Sequence, residues 1–124
     1  MVHLDTNFLI EGLRPGSPEQ AQVLAWWSAR NDDVNVSSVV WAEFFCGPLS
    51  QVHEQKARHF FPTPEPLLPA DAEMAALLFN KTGRRSRSLA DCMIAAVALR
   101  SHARLATINT ADFQPFVQHG LTLV

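Results

Sequence analysis

Three carboxylates in this chain stand where carboxylates are costly. Asp5 is the only Asp, Glu, Lys or Arg in residues 1–10, Glu43 the only one in 34–49 and Asp91 the only one in 88–99. Val39, Val40, Trp41, Ala42, Phe44 and Phe45 put apolar side chains on nearly every side of Glu43. A charge within an apolar segment is unfavourable unless an opposite charge or a metal ion compensates it. Each acid also has an ordinary use. Asp5 can cap the helix that follows it, and Asp91, three residues after Ser88, can complete a capping box. Glu43 can reach solvent or pair with Arg84 or Arg87. Capping does not explain an acid in mid-helix, however, and a shared site explains all three. Converging carboxylates repel: at an effective dielectric near 20, two charges about 4 Å apart interact by roughly 4 kcal/mol. A divalent cation removes that repulsion, and carboxylate oxygens with retained waters suit Mg²⁺ or Mn²⁺.

These acids need a frame that brings positions 5, 43 and 91 together. An apolar strand at 2–4 ends on Asp5, and a short helix follows at 6–13. Ser17, Pro18 and Gln20 open a second helix, with Ser as N-cap and Gln able to close a capping box. The alternation at 34–36 predicts a second strand. A helix from Ser37 and Ser38 carries Glu43 and stops at Gly47-Pro48, and a more polar helix covers 50–61. Pro62, Pro64, Pro66 and Pro69 predict an extended segment, with a short strand at Leu67-Leu68 confined to a sheet edge. Helices follow at 70–82 and 89–102, then a strand at 104–108, a helical turn at 111–117 and a last strand at 121–124. Strands alternating with helices give an α/β fold with a parallel sheet covered on both faces. In such sheets, sites form beyond the carboxyl ends of the strands, where strand order reverses. Asp5 and Asn109 both fall on that rim.

Composition narrows the function classes. The 124 residues fit one domain, 1–124, with a core of its own. Apolar residues at 48% and charged residues at 18% exclude a disordered chain. A net charge of −2 gives no global basic field, so a polyanion must be attracted by a local patch or a bound cation. Lys81, Arg84, Arg85 and Arg87 fall within seven residues and are four of only ten Lys and Arg. Such a run is either a solvated loop or a phosphate contact, and its closeness to Asp91 favours phosphate. Cys46 and Cys92, with no CxxC pair, read as small buried residues of a reducing compartment. No basic-then-apolar leader opens the chain, and the longest apolar run, 92–99, is too short for a bilayer, so no membrane is involved and a cytoplasmic location is expected. Trp26, Trp27, Trp41, Phe44, Phe45, Phe60 and Phe61 offer more aromatic surface than a small core easily hides. Part of it could serve an interface.

Leu4-Asp5-Thr6-Asn7, the lone helical Glu43, Ala90-Asp91 opening an apolar helix, and the run from Thr107 through Asn109 and Asp112 to Phe113 together resemble the four signatures of the PIN-domain nucleases. Their order and spacing are most similar to the VapC-type toxins of toxin–antitoxin pairs, over essentially the whole chain. The resemblance implies a three-layer α/β/α sandwich with strand order 3-2-1-4-5. It also implies a Mg²⁺-dependent endoribonuclease, a homodimer that acts on RNA and is inhibited by a cognate antitoxin protein. Under it Asp5 and Asp91 are the principal metal ligands and Glu43 is the helical acid, acting directly or through water. Thr6 and Thr107 supply hydroxyls that orient them; Arg84, Arg85 and Arg87, from the position of the basic run beside Asp91, are the candidates for substrate binding. The position that often holds a fourth acid is Asn109 here, which carries no charge. Asp112 either substitutes for it or caps the following turn. Both readings stand, and with them the question of one metal or two. Two rivals remain: a catalytically silent PIN-like interaction module, and an aspartyl-phosphate phosphatase. The phosphatase would want an acid at Asn7 and a lysine near the last strands, and no lysine follows Lys81.

Overall fold

The structure is a computed structural model that describes residues 1–84 and 89–124. Its centre is β1 (Val2–Leu4), buried at every position because it has a strand on each side and helices on both faces. β2 (Val34–Asn35) and β3 (Arg104–Ala106) pair with it in parallel, giving the order β2-β1-β3. Single parallel bridges extend the sheet at both edges, Ser37 to Glu65 beyond β2 and Leu105 to Leu123 beyond β3. The spatial order therefore follows 3-2-1-4-5, although the outer two members are bridges rather than full strands. The edge pairing expected at Leu67-Leu68 falls at Glu65 instead. Leu67 donates its N–H to the Ser38 hydroxyl (2.9 Å), and Leu68 is already the N-cap of the next helix. The last strand reduces to Leu123, held between Leu105 N–H to Thr122 O and Val124 N–H to Leu105 O.

Helix α1 (Thr6–Leu13) starts directly after β1 and carries Gly12 in its last turn, whose missing Cβ would stand 3.0 Å from Val23 of α2 (Pro18–Ala29). The two helices approach closely because nothing larger than hydrogen separates them there. Ser17 caps α2 through the Gln20 N–H (3.0 Å), and Gln20 returns a bond to the Gly16 N–H (3.0 Å), one residue short of the expected capping box. α3 (Ser38–Cys46) and α4 (Gln51–Phe60) open on the serine caps Ser37 and Ser50. α1 packs on α2 and α3, while α5 (Pro69–Lys81) and α6 (Leu89–Arg100) pack on each other. α6 buries Cys92, Ile94, Ala95, Ala96, Val97 and Ala98. It ends at Arg100, two residues earlier than expected, because His102 turns into the left-handed region (φ 53°) while the Ala103 N–H closes back on Ala98 O.

One guanidinium fixes the proline-rich passage. Arg100 donates to both oxygens of the buried Asp71 (2.8 and 3.0 Å), to Glu65 (2.9 Å) and to the Pro66 carbonyl (2.9 Å). The chain finishes with α7 (Thr110–Phe113) and a 3₁₀ segment, Gln114–His119, which bury Phe113 and Phe116. Most of the conspicuous aromatic residues are packed rather than displayed. Phe44 and Phe61 are buried and Trp26, Trp27, Trp41 and Phe45 partly so, leaving Phe60 as the exposed one of the seven. Cys46 is exposed, contrary to its expected place in the core. No described helix is long and apolar enough to cross a membrane.

Candidate functional site

Asp5 sits at the carboxyl end of β1 because its own N–H still bonds to Ala106 O of β3 (2.9 Å) while its carbonyl already accepts from Leu9 of α1 (3.1 Å). It is 5% exposed. Its two oxygens are divided. Oδ1 accepts the Thr6 N–H (2.8 Å), so the capping use is real. Oδ2 accepts the hydroxyl of Thr107 (2.8 Å), the residue that directly follows β3, and that hydroxyl in turn accepts the Asn109 N–H (2.9 Å). The parallel register of Leu4 with Ala106 brings Asp5 and Thr107 side by side. Both groups on Asp5 are neutral donors.

Thr6 has a second role that sequence reading gave only in general terms. Its hydroxyl donates to Glu43 Oε1 at 2.6 Å, across 37 positions of chain, and so ties the helical acid of α3 to the end of β1. The premise that Glu43 is wrapped in apolar side chains does not hold. Ala42 and Cys46 are exposed and so is Glu43, at the rim of the sheet, while Val40 and Phe44 alone of α3 are buried. A helix that buries only Val40 and Phe44 leaves the acid free to face the site without a large desolvation cost.

Asp91 lies in the first turn of α6, half-buried. Burial first, and then the negative charges of Asp5, Asp112 and Glu43, push its carboxyl up to about 7. Asp5 is raised as well, chiefly by burial, against the lowering effect of the Thr107 and Thr6 donors, with Glu43 and Asp112 adding to the rise. Four acids from four parts of the chain thus feel one another at one end of the sheet. Asp112 belongs to this group by its field on Asp5 and Asp91, and no side-chain capping bond is made at the start of α7. Asn109 takes part through its backbone. None of the five ion pairs among the described residues involves Asp5, Glu43, Asp91 or Asp112.

The donor set is therefore all carboxylate oxygen, which suits a hard divalent cation rather than zinc or copper. Among the described residues no three His, Cys, Asp or Glu side chains already stand close enough to enclose an ion. Carboxylates of this kind bind a cation that keeps several waters and takes one or two of them directly. The acids present suit it. Arg84 is exposed, at φ 57° directly after Gly83 (φ 97°), where α5 ends. It makes no ion pair with Glu43. Arg85, Arg87 and the expected Ser88–Asp91 capping box lie outside the described residues. An apolar cavity of about 110 Å³ has none of the acids in its lining, which includes Leu4, Phe8 and Leu9 with Trp27, Phe60 and Phe61.

An open parallel sheet with an acidic rim at its carboxyl end, fed by the first strand, the third helix and the sixth, defines an α/β protein whose candidate site lies beyond the carboxyl ends of its strands. The PIN domain family model matches residues 2–114, and the chain belongs to that family. Among solved structures it is similar to FitAcB from Neisseria gonorrhoeae, at 26% identity and a TM-score of 0.79, covering 99% of this chain and 96% of that one. A toxin–antitoxin complex from Klebsiella pneumoniae is 26% identical with a TM-score of 0.71, covering 91% and 90%. VapC20 of Mycobacterium tuberculosis, described as a sarcin–ricin loop cleaving toxin, shares the fold at 15% identity and a TM-score of 0.79, covering 100% and 98%. Comparison with curated protein sequences finds no match.

Proposed function

We propose that this chain is a Mg²⁺- or Mn²⁺-dependent endoribonuclease, the toxin of a type II toxin–antitoxin pair. The observation that carries the reading is that Asp5, Glu43, Asp91 and Asp112 bear on one another electrostatically at the sheet's carboxyl rim, with neutral donors on Asp5 and no ion pair among the described residues to balance them. Asp5 and Asp91 would hold the ion, with Asp112 the better-placed fourth acid and Asn109 secondary. When bound, a divalent ion neutralises phosphate charge and lowers the pKa of water toward neutrality. The chain's own groups do the rest. Thr6 N–H and the Thr107 hydroxyl hold both oxygens of Asp5 in place, so the ligand needs little reorganisation. Glu43, oriented by the Thr6 hydroxyl, accepts the proton of the attacking water. Arg84, Arg85 and Arg87 grip the backbone phosphates of the RNA. In-line attack by water leaves a 3′-hydroxyl and a 5′-phosphate.

The similarity to a toxin–antitoxin complex supports a cognate antitoxin as partner, and the apolar cavity beside Trp27 and the exposed Phe60 offers a seat for its apolar side chains. We read the working form as a homodimer. Pure protein incubated with total RNA should cut it with Mg²⁺ or Mn²⁺ and stop in excess EDTA. Full activity in EDTA overturns the metal mechanism. No cleavage under any cation, with intact antitoxin binding, assigns the chain to the silent interaction modules.

A further inference from the structure

A site built from carboxylates and a divalent cation is indifferent to the sugar. Water attacks the phosphorus, the 2′-hydroxyl takes no part, and the same groups would hydrolyse DNA as readily as RNA. A preference for RNA then has to come from another group at the rim, one that reads the 2′-hydroxyl by which the two backbones differ. A carboxylate is unsuited to that task, because it repels the phosphates on either side of the sugar. The reader must be neutral, accessible and free to make hydrogen bonds.

Few side chains at the rim meet those conditions. The Thr6 hydroxyl is spent on Glu43 (2.6 Å) and that of Thr107 on Asp5 (2.8 Å), while the Ser37 hydroxyl is buried and accepts the Val40 N–H (3.2 Å). Asn109 is half-buried. Asn7 is different. It directly follows Asp5 and Thr6, it is exposed, and among the described residues its side chain has no hydrogen-bond partner. Helical side chains lean toward the start of their helix, so an amide at the second position of α1 leans to the Asp5 end. Successive residues are set about 100° apart around a helix. With the Thr6 hydroxyl turned to Glu43 of α3, Asn7 falls on the flank of α1 turned away from α3. Its amide both donates and accepts, as a 2′-hydroxyl does.

In the proposed reaction Glu43 takes the proton of the attacking water, and in-line displacement puts the leaving 3′-oxygen on the other side of the phosphorus. That oxygen belongs to the nucleotide upstream of the cut, and the 2′-hydroxyl is its neighbour. We infer that Asn7 determines the choice of RNA over DNA, its amide bonding the 2′-hydroxyl of the nucleotide upstream of the cut. The inference rests on the nuclease reading above and deepens it by assigning the sugar preference to a residue that holds no metal.

The test sets wild type, Asn7→Ala and Asn7→Leu against two oligonucleotides that span a cut mapped in total RNA. One is ribose throughout, and the other carries a single 2′-deoxy sugar immediately upstream of the cut. Wild type should cut the deoxy oligonucleotide with kcat/KM about tenfold lower, the loss expected for one neutral hydrogen bond. Both variants should cut the two oligonucleotides equally well; Asn7→Leu keeps the branched shape of the side chain and removes only its polar atoms. The readout is a ratio of two substrates on one protein, so any change in stability or metal affinity cancels. Variants that discriminate as well as wild type does, or a wild type blind to the deoxy sugar, overturn the role of Asn7 and leave the nuclease intact. A wild type that cannot cut the deoxy oligonucleotide at all would make the 2′-hydroxyl the nucleophile, which overturns attack by water and this assignment with it. A wild type that cuts neither overturns the nuclease reading itself.

Discussion

Replacing Asp91 by Asn separates a ligand from a structural acid. In the metal-free fold the Asp91 carboxyl stands at about 7 against an ordinary 3.8, because burial and three nearby acids disfavour its charge. The folded chain therefore holds this proton more tightly than the unfolded chain does, and stability falls as pH rises from the lower value through the higher. At about 1.36 kcal/mol per pH unit the full cost above pH 7 comes to roughly 4 kcal/mol, and screening by solvent at a half-buried position reduces this to about 2 kcal/mol. Asparagine carries no charge, so the metal-free variant should be more stable than wild type by about 2 kcal/mol at pH 8, or roughly 8 °C in Tm. The gap should narrow sharply by about pH 4 and close below about pH 3, where Asp91 is protonated in both states of wild type. Adding Mg²⁺ or Mn²⁺ at a hundred times its Kd should stabilise wild type by about 2.7 kcal/mol and the variant far less. RNA cleavage by the variant should be nearly abolished. Thermal melts of both proteins at pH 4 and pH 8, with and without metal, read all of this. A variant that melts below wild type at pH 8 without metal, still gains stability from Mn²⁺ and still cuts RNA would show that Asp91 only caps α6.

Thr6→Val keeps the shape of the side chain and removes the donor to Glu43; stability should change by less than about 1 kcal/mol while kcat for RNA cleavage falls on the order of tenfold to a hundredfold. Equal loss of stability and activity would make Thr6 structural. Changing Arg84, Arg85 and Arg87 together to Ala should shrink the slope of log K against log salt by about 0.7 per lost phosphate contact on single-stranded RNA, and an unchanged slope would place these arginines in a merely solvated loop. Arg100→Ala strips the buried Asp71 of its partner and should lower the midpoint of a denaturant melt, with no effect expected beyond that of unfolding on metal binding.

The parallel α/β plan was legible because β1 is apolar throughout and ends on an acid, and because serine and proline mark several helix starts. The acids of the candidate site stood out in the sequence as anomalies within apolar runs. Glu43 was found by a premise that the structure does not support, since its place depends on Thr6, a partner far away in sequence that no local pattern indicates. Asp112 could not be told from a turn residue, because what distinguishes it is its field on Asp5 and Asp91, which depends on how α7 folds back. The outer sheet members were misplaced or overdrawn for a related reason. Leu67-Leu68 has the composition of a strand, but Asp71 accepts the Leu68 N–H (2.9 Å) and draws it into a helix cap, leaving the less strand-like Glu65 to make the bridge.

That bridge has a consequence for how the molecule keeps to itself. Glu65 turns both its backbone groups inward, its N–H to Val36 O and its carbonyl to the Ser38 N–H, each at 2.8 Å. In an extended chain the neighbouring backbone groups point the other way, toward whatever lies beyond the sheet. Those neighbours are Pro64 and Pro66, which have no N–H to offer, and the Pro66 carbonyl is already taken by Arg100. A foreign strand sliding along this border would find no donor on either side of Glu65 and one acceptor occupied. Open borders of this kind otherwise recruit other chains into aggregates. Here the border is blunt, which leaves association to the helical faces, where side chains rather than backbone select the partner.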